Sequence, residues 1–129
     1  MTRVLIGGFL VAHGLVHIGV WATPKGDRPQ PFDPSRSWLL DMLGVPHGAA
    51  HATSVAIAVL VGLGFVVAGT GLLVGASVWR TAAIASAIAA GPLFILYFNP
   101  WLTVGAALQA AIVYLLVVSG WPTEKIVGA

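Results

Sequence analysis

The sequence has no cysteine and very few charged residues. Without a thiol in its 129 residues, the chain has no disulfide, no thiolate metal site and no cysteine nucleophile. Asp, Glu, Lys and Arg make up 8% of the chain, whereas a soluble domain carries roughly a quarter. The six basic residues are scattered, so they form no cluster for binding nucleic acid. A content of 58% hydrophobic residues is typical of a membrane protein, and histidine must carry most of any chemistry.

Four long apolar runs divide the chain. They cover residues of about 4–21, 47–76, 80–98 and 101–120. Each run is long enough, at 1.5 Å per residue, for a helix to cross a hydrocarbon core of roughly 30 Å. None of them alternates with the period of two expected of a barrel strand. We therefore predict an all-α fold, in which residues 1–129 form a single integral membrane domain built as a four-helix transmembrane bundle.

The polar stretch over residues 23–45 is interpreted as a loop that contains a short interfacial helix. Its prolines exclude a regular helix before Asp33. From there, Asp33 as N-cap, Pro34 at the first helical position and Gly44 as the stop predict a helix. The apolar side chains of this helix indicate that it lies on the membrane surface. An ordinary connecting loop is the alternative.

Features at the ends of the apolar runs bear on topology. Four tryptophans lie at predicted helix ends, where we expect them to form an aromatic belt at the membrane surface: Trp21, Trp79, Trp101 and Trp121. Basic residues are divided equally between the two sides: Arg3, Arg80 and Lys125 against Lys25, Arg28 and Arg36. This count does not decide the orientation. We expect a multi-pass protein of the cell membrane with both termini in the cytoplasm.

All four histidines occur in HxxxH pairs. His13 and His17 lie in the first run, and His47 and His51 lie at the start of the second. A spacing of four residues places both imidazoles of a pair on one helix face, about 6 Å apart along the axis. Because consecutive spans are antiparallel, we expect the two pairs to meet. Four imidazoles would bind a transition metal (Zn, Cu or Fe), or two facing histidines would ligate a b-type haem.

Other polar residues are expected to surround this site. Asp41 precedes His47 and would accept a ring N–H. Tyr97 and Asn99, in the turn between the last two runs, would cap the site, and Ser54 lies nearby in the second run. Ser54 and Gln109 are otherwise interpreted as ordinary hydrogen-bonding groups between packed helices.

Depth in the bilayer is the main difficulty for a four-histidine site. If the second span runs from Val55 to Ala76, His51 is interfacial, whereas His13 lies about 12 Å below Trp21. The depths agree only if the chain turns earlier, near residues 69–75. In the alternative interpretation, the first pair makes packing hydrogen bonds and the second pair is simply hydrated at the interface.

Three functional hypotheses follow. The first is a metal- or haem-binding membrane protein that uses the four histidines and is linked to electron transfer or to a quinone-like lipid. The second is a non-catalytic subunit or assembly factor of a larger membrane complex, because Gly- and Ala-rich faces suit close helix contacts. The third is a transporter or channel that oligomerises around a path lined by Gln109, Tyr114 and the histidines. The sequence contains no HExxH, GxSxG or Walker A motif, so no enzyme class is favoured.

Overall fold

The computed structural model describes residues 1–23 and 31–128, and this part of the chain contains helices but no strand. Two of the basic residues that were counted for the topology, Lys25 and Arg28, lie outside the described residues. Four helical segments are long and apolar enough to cross a membrane: Thr2–Ala22, His47–Val74, Trp79–Leu96 and Pro100–Val118. They agree closely with the predicted runs, because apolar length is carried locally by the sequence.

Several of these segments are composite. The helices are, in chain order, α1 (Thr2–Ala22), α2 (Trp38–Met42), α3 (His47–Val74), α4 (Trp79–Ala89), α5 (Gly91–Leu96), α6 (Thr103–Val113) and α7 (Glu124–Val127). A 3-10 turn, Pro100–Leu102, precedes α6, and a π-helical turn, Tyr114–Val118, follows it. The segment α4–α5 is interrupted at Ala90, two residues before Pro92, whose ring and missing N–H disfavour a continuous helix.

Paired glycines join α1 to α3. Gly7 faces Gly69 and Gly14 faces Gly62, so the two helices run antiparallel. A Cβ at Gly62 would lie 2.6 Å from the carbonyl oxygen of Gly14, and a Cβ at Gly69 would lie 2.5 Å from that of Gly7. Only glycine permits such a close approach of two backbones. These contacts fix the register of α1 against α3.

The helix α3 lies between α1 and α4, and α6 packs against α4. Over the described residues, the backbones of α1 and α6 approach each other far less. At one end of the bundle, Arg3 donates hydrogen bonds from Nε to the carbonyl oxygen of Leu72 (2.6 Å) and from a terminal nitrogen to that of Leu73 (2.9 Å). We call this the terminal end, because α1 begins and α3 ends there. The opposite end is the loop end.

The short helix of the loop begins later than predicted. It starts at Trp38 with Ser37 as its N-cap, so the assignment of Asp33 as N-cap was wrong. The Asp33 carboxylate instead accepts hydrogen bonds from the backbone N–H and the hydroxyl of Ser35, at 3.0 and 2.6 Å. Such local bonds compete with helix formation. The chain leaves this region through Gly44, whose φ of 73° is typical of a helix stop.

Two of the four tryptophans expected at the membrane surface are buried. Trp21 is 2% exposed, and its ring packs against Phe32 and Tyr97 at centroid distances of 5.0 and 5.6 Å. Trp79 is 4% exposed, whereas Trp101 and Trp121 remain exposed. Position at a helix end does not determine which helix face a side chain occupies. Trp21 therefore belongs to the packed core of the loop end.

Candidate functional site

His13 and His17 lie side by side on one face of α1. Their ring centroids are 5.0 Å apart in an edge-to-face arrangement. The His13 ring packs edge-on against Phe65 of α3 at 4.8 Å, and the His17 ring lies between Phe65 and Phe94 of α5, with both centroids at 6.1 Å. The spacing of four residues thus gathers the two imidazoles, and aromatic side chains hold them in place.

The polar partner of this pair is Gln109 on α6. Its Nε2 lies 2.9 Å from Nε2 of His13 and 2.7 Å from Nε2 of His17. With the amide oriented so that its NH₂ group faces the two rings, it donates two protons and accepts none, so both ring nitrogens act as acceptors. Both imidazoles are then neutral and carry their proton on Nδ1. One amide group bridges α1 and α6, and in this orientation it requires the same tautomer of both rings.

Two polar atoms of this centre have no hydrogen-bond partner among the described residues. They are Nδ1 of His17 and Oε1 of Gln109, and each residue is 5% exposed. With the tautomer given above, Nδ1 of His17 is a donor and Oε1 of Gln109 is an acceptor. A buried polar atom without a partner costs roughly 1–3 kcal/mol. Such a centre is suited to binding a further polar group.

A cavity of about 370 Å³ lies beside the two histidines, between α1, α5 and α6. His13 and His17 line one side, and Phe94, Trp101 and Gly105 contribute to the other. Gly105 makes room for the aromatic wall, because a Cβ there would lie 3.1 Å from the Phe94 ring. An apolar cavity of this size with a few polar groups is typical of a small-molecule site.

The second histidine pair lies elsewhere. If the alignment of Gly14 with Gly62 is extended along both helices, His51 lies beyond Ala22, the last residue of α1. Measured along the helix axes, His51 is then roughly 12 Å from the level of His17. Among the described residues, which include all four histidines, no group of three or more His, Asp or Glu side chains is arranged to hold a metal. The expected meeting of the two pairs is not observed, because the contacts that align Gly14 with Gly62 leave His51 beyond the end of α1.

Asp41 and His47 lie close together at the surface of the loop end. The distance from Oδ1 of Asp41 to Nε2 of His47 is 3.5 Å, and their side chains are 33% and 54% exposed. Because the pair is hydrated and separate from the first histidine pair, it does not orient a ligand of the centre around Gln109.

The remaining residues expected around the site hold the loop end together. The Tyr97 hydroxyl donates a hydrogen bond to the carbonyl oxygen of Ala50, and burial raises the pKa of this hydroxyl. The Ser54 hydroxyl donates to the carbonyl oxygen of Pro34 at 2.9 Å. The Asn99 side chain accepts from the backbone N–H of Trp101, also at 2.9 Å. None of these hydrogen bonds involves His13 or His17.

Sequence reasoning missed the role of Gln109, which was interpreted only as a packing residue. Its signal is its position, since it is a single amide near the middle of an apolar run of 19 residues. In a helix that crosses a membrane, a polar group near the middle is costly and is often functional. The sequence does not reveal which neighbouring helix the amide meets, because that depends on tertiary packing.

Comparison with protein-family models, with characterised proteins and with solved structures gave no match. The function is therefore argued from the centre formed by His13, His17 and Gln109 and from the cavity beside it.

Proposed function

We propose that this protein is a multi-pass integral membrane protein that binds a quinone-like lipid, a hydrophobic ligand with a polar head group. One observation carries the proposal: a buried ring nitrogen of His17 has no partner among the described residues, and His17 lines an apolar cavity. The ring and tail of the ligand would occupy the apolar part of the cavity, and its head group would contact the histidines.

Several features of the helices support the membrane location. The 28 residues of α3 extend over about 42 Å, more than the thickness of a hydrocarbon core. Large apolar side chains are exposed on the outer helix faces, among them Leu60, Leu63 and Val67 on α3 and Val104 on α6. These faces suit contact with lipid, because every helix satisfies its own backbone hydrogen bonds. We place the terminal end on the cytoplasmic side, in keeping with the expected orientation.

The cavity provides a hydrogen-bond donor that matches a quinone-like head group. Of the residues that line the cavity, His17 has an unpartnered Nδ1–H, which can donate to a carbonyl or hydroxyl oxygen. The rings of Phe94 and Trp101 offer flat apolar surfaces to the ring of the ligand. The described residues that line the cavity include no Asp, Glu, Lys or Arg, so a neutral ligand is favoured over an ion.

A titration tests this proposal. The protein is purified in mild detergent without a His-tag, and tryptophan fluorescence is followed on addition of decylubiquinone, since Trp21 and Trp101 line the cavity. We expect saturable quenching. His17→Leu should weaken binding about 2- to 10-fold, which corresponds to one hydrogen bond.

The matched control is His51→Leu, the same chemical change outside the cavity, which should leave the affinity unchanged. Quenching that does not saturate, or an equal effect of both substitutions, would rule out binding at this site.

A metal at His13 and His17 is the second candidate, because Nε2 of both rings points at one position. That position is now occupied by Nε2 of Gln109, at 2.9 and 2.7 Å, whereas Zn–N distances are about 2.0–2.1 Å. A metal would therefore require the amide to move, with Oε1 as a third ligand. This arrangement favours a metal bound by His13 and His17 alone over a metal bound by all four histidines. Among the described residues, no histidine on another helix faces this pair, as a b-type haem with two histidine ligands would require.

Elemental analysis for Zn, Cu and Fe, together with a visible spectrum, tests this second candidate. A stoichiometric metal that is lost in His13→Leu and retained in His47→Leu would support it. Loss in both variants would restore the site of four histidines, and a Soret band would point to haem. If the purified protein contains no metal and binds none when Zn, Cu or Fe is added back, the metal candidate is excluded and binding of a quinone-like lipid remains the proposal.

A further inference from the structure

A second cavity lies at the terminal end of the bundle, again between α1 and α6. It has a volume of about 280 Å³, and its wall is almost entirely apolar. Leu5 and Leu10 of α1 line it on one side, and Ile112 and Leu116 line it on the other. Since Leu10 lies one helical turn before His13 and Ile112 lies three residues after Gln109, the hydrogen-bonded bridge separates this terminal cavity from the cavity described above.

Arg80 contacts residues that line the terminal cavity. One terminal nitrogen of its guanidinium group donates to the carbonyl oxygen of Leu116 at 3.0 Å, and the other donates to that of Pro122. The guanidinium carbon also lies 5.1 Å from the centroid of the Trp79 ring. All three contacted residues line the cavity. An arginine has five N–H donors, so these two hydrogen bonds leave others for an anion.

The charge of the terminal end is predominantly positive. Its described residues include Arg3, Arg80 and Lys125, with Glu124 as the acidic residue. Basic side chains at a membrane surface attract anionic lipids, each contributing a roughly equal share of the affinity. The terminal end therefore favours an anionic head group next to an apolar cavity.

We propose that the terminal cavity binds an acyl chain of an anionic phospholipid, whose phosphate contacts Arg80. The cavity runs inward along α1 from Leu5 to Leu10, a distance of about 8 Å. Its apolar wall offers almost no polar group to a peptide, whereas an acyl chain needs none. This inference rests on the proposed membrane location but not on ligand binding beside His17.

Native mass spectrometry of the full chain tests the inference. The delipidated protein is incubated in mild detergent with equal amounts of phosphatidylglycerol and phosphatidylcholine that carry the same acyl chains. We expect phosphatidylglycerol to be retained preferentially. Arg80→Gln should reduce the ratio of the two bound lipids about fivefold, as expected for loss of one contact between a basic side chain and an anionic lipid. Arg36→Gln, at the loop end, is the matched control and should leave the ratio unchanged.

A second substitution keeps every charge. Leu5 lines the cavity and is 64% exposed, so Leu5→Trp should narrow the cavity without disturbing the core. We expect Leu5→Trp to lose bound phosphatidylglycerol while its helicity, measured by circular dichroism, stays unchanged. This variant tests the inference even if Arg80→Gln fails to fold.

Three results would overturn the inference: equal retention of the two lipids by the unaltered protein, the same change of ratio in Arg36→Gln, or a lipid-free dimer in which a second copy fills the groove. His17→Leu should not affect the ratio of bound lipids. The lipid site and the ligand site can therefore fail independently.

Discussion

Replacing Gly14 by alanine is expected to push α1 away from α3 close to the two histidines. The new Cβ would overlap the carbonyl oxygen of Gly62, and the reciprocal Cβ at Gly62 would lie 2.6 Å from that of Gly14, whereas ordinary contacts begin at 3.4 Å. Because the nearest obstacle is a backbone atom that cannot rotate away, the new Cβ and this oxygen must separate by about 1 Å to reach ordinary contact distance. Overpacking of this kind typically costs about 1–3 kcal/mol.

The clash has to be separated from the intrinsic preference of alanine for helices, which favours alanine over glycine by about 1 kcal/mol. Gly8 and Gly19 provide matched controls on the same helix, because a Cβ built at either position would meet no described atom within 4 Å apart from the neighbouring backbone of α1 itself. We expect Gly8→Ala and Gly19→Ala to leave the free energy of unfolding unchanged or slightly higher, and Gly14→Ala to lower it. Unfolding in mixed micelles with increasing dodecyl sulfate, followed by circular dichroism, gives these free energies.

Two further measurements make the test more specific. Gly14 directly follows His13, so the same displacement should weaken decylubiquinone binding. Gly14→Ala combined with Gly62→Ala should cost less than the sum of the single changes, because the first already separates the helices. If Gly14→Ala behaved like Gly8→Ala, the helices would not cross at this pair, and the register that places the histidines would be incorrect.

Two other predictions concern single side chains. Gln109→Met keeps the side-chain volume but loses both hydrogen bonds to the histidines, so the free energy of unfolding should fall by about 1–2 kcal/mol. The control Leu108→Met should have almost no effect on this free energy. An equal effect of both substitutions would show that the hydrogen bonds of Gln109 do not stabilise the fold. In Tyr114→Phe, which leaves Tyr97 as the remaining tyrosine of two, an absorbance titration should give a midpoint above 10.0, because burial raises the pKa of Tyr97. Because the pKa is higher in the folded than in the unfolded protein, the corresponding contribution to the free energy of unfolding is fully present below pH 10.0 and is lost as the pH rises through the folded-state pKa. A titration midpoint at 10.0 would instead show that the Tyr97 hydroxyl is hydrated.

The four apolar segments could be predicted because their signal is local. The predicted run of residues 80–98 corresponds to Trp79–Leu96, and the run of residues 101–120 corresponds to Pro100–Val118. Hydrophobic length is visible within each segment of the sequence, whatever that segment packs against. The start of α2 was placed too early, because the sequence around Asp33 fits both a helix cap and a local turn.

Half of the candidate site could also be predicted. The spacing of His13 and His17 places both rings on one helix face, whatever that helix packs against. The partner of the pair could not be predicted, since the sequence offers His47, His51 and Gln109 without stating their depth relative to α1. The choice depends on the glycine contacts between α1 and α3, which align Gly14 with Gly62 and leave His51 beyond the end of α1.

The sequence by itself determined the helices, their approximate ends and the pairing of two imidazoles on α1, since these depend on hydrophobicity and on a period of 3.6 residues. Only the tertiary structure decided that Gln109 bridges the pair, that Trp21 is buried and that two cavities lie between α1 and α6. The physical reason is that the relative shift and rotation of packed helices are set by close contacts between residues far apart in the chain, such as Gly7 with Gly69.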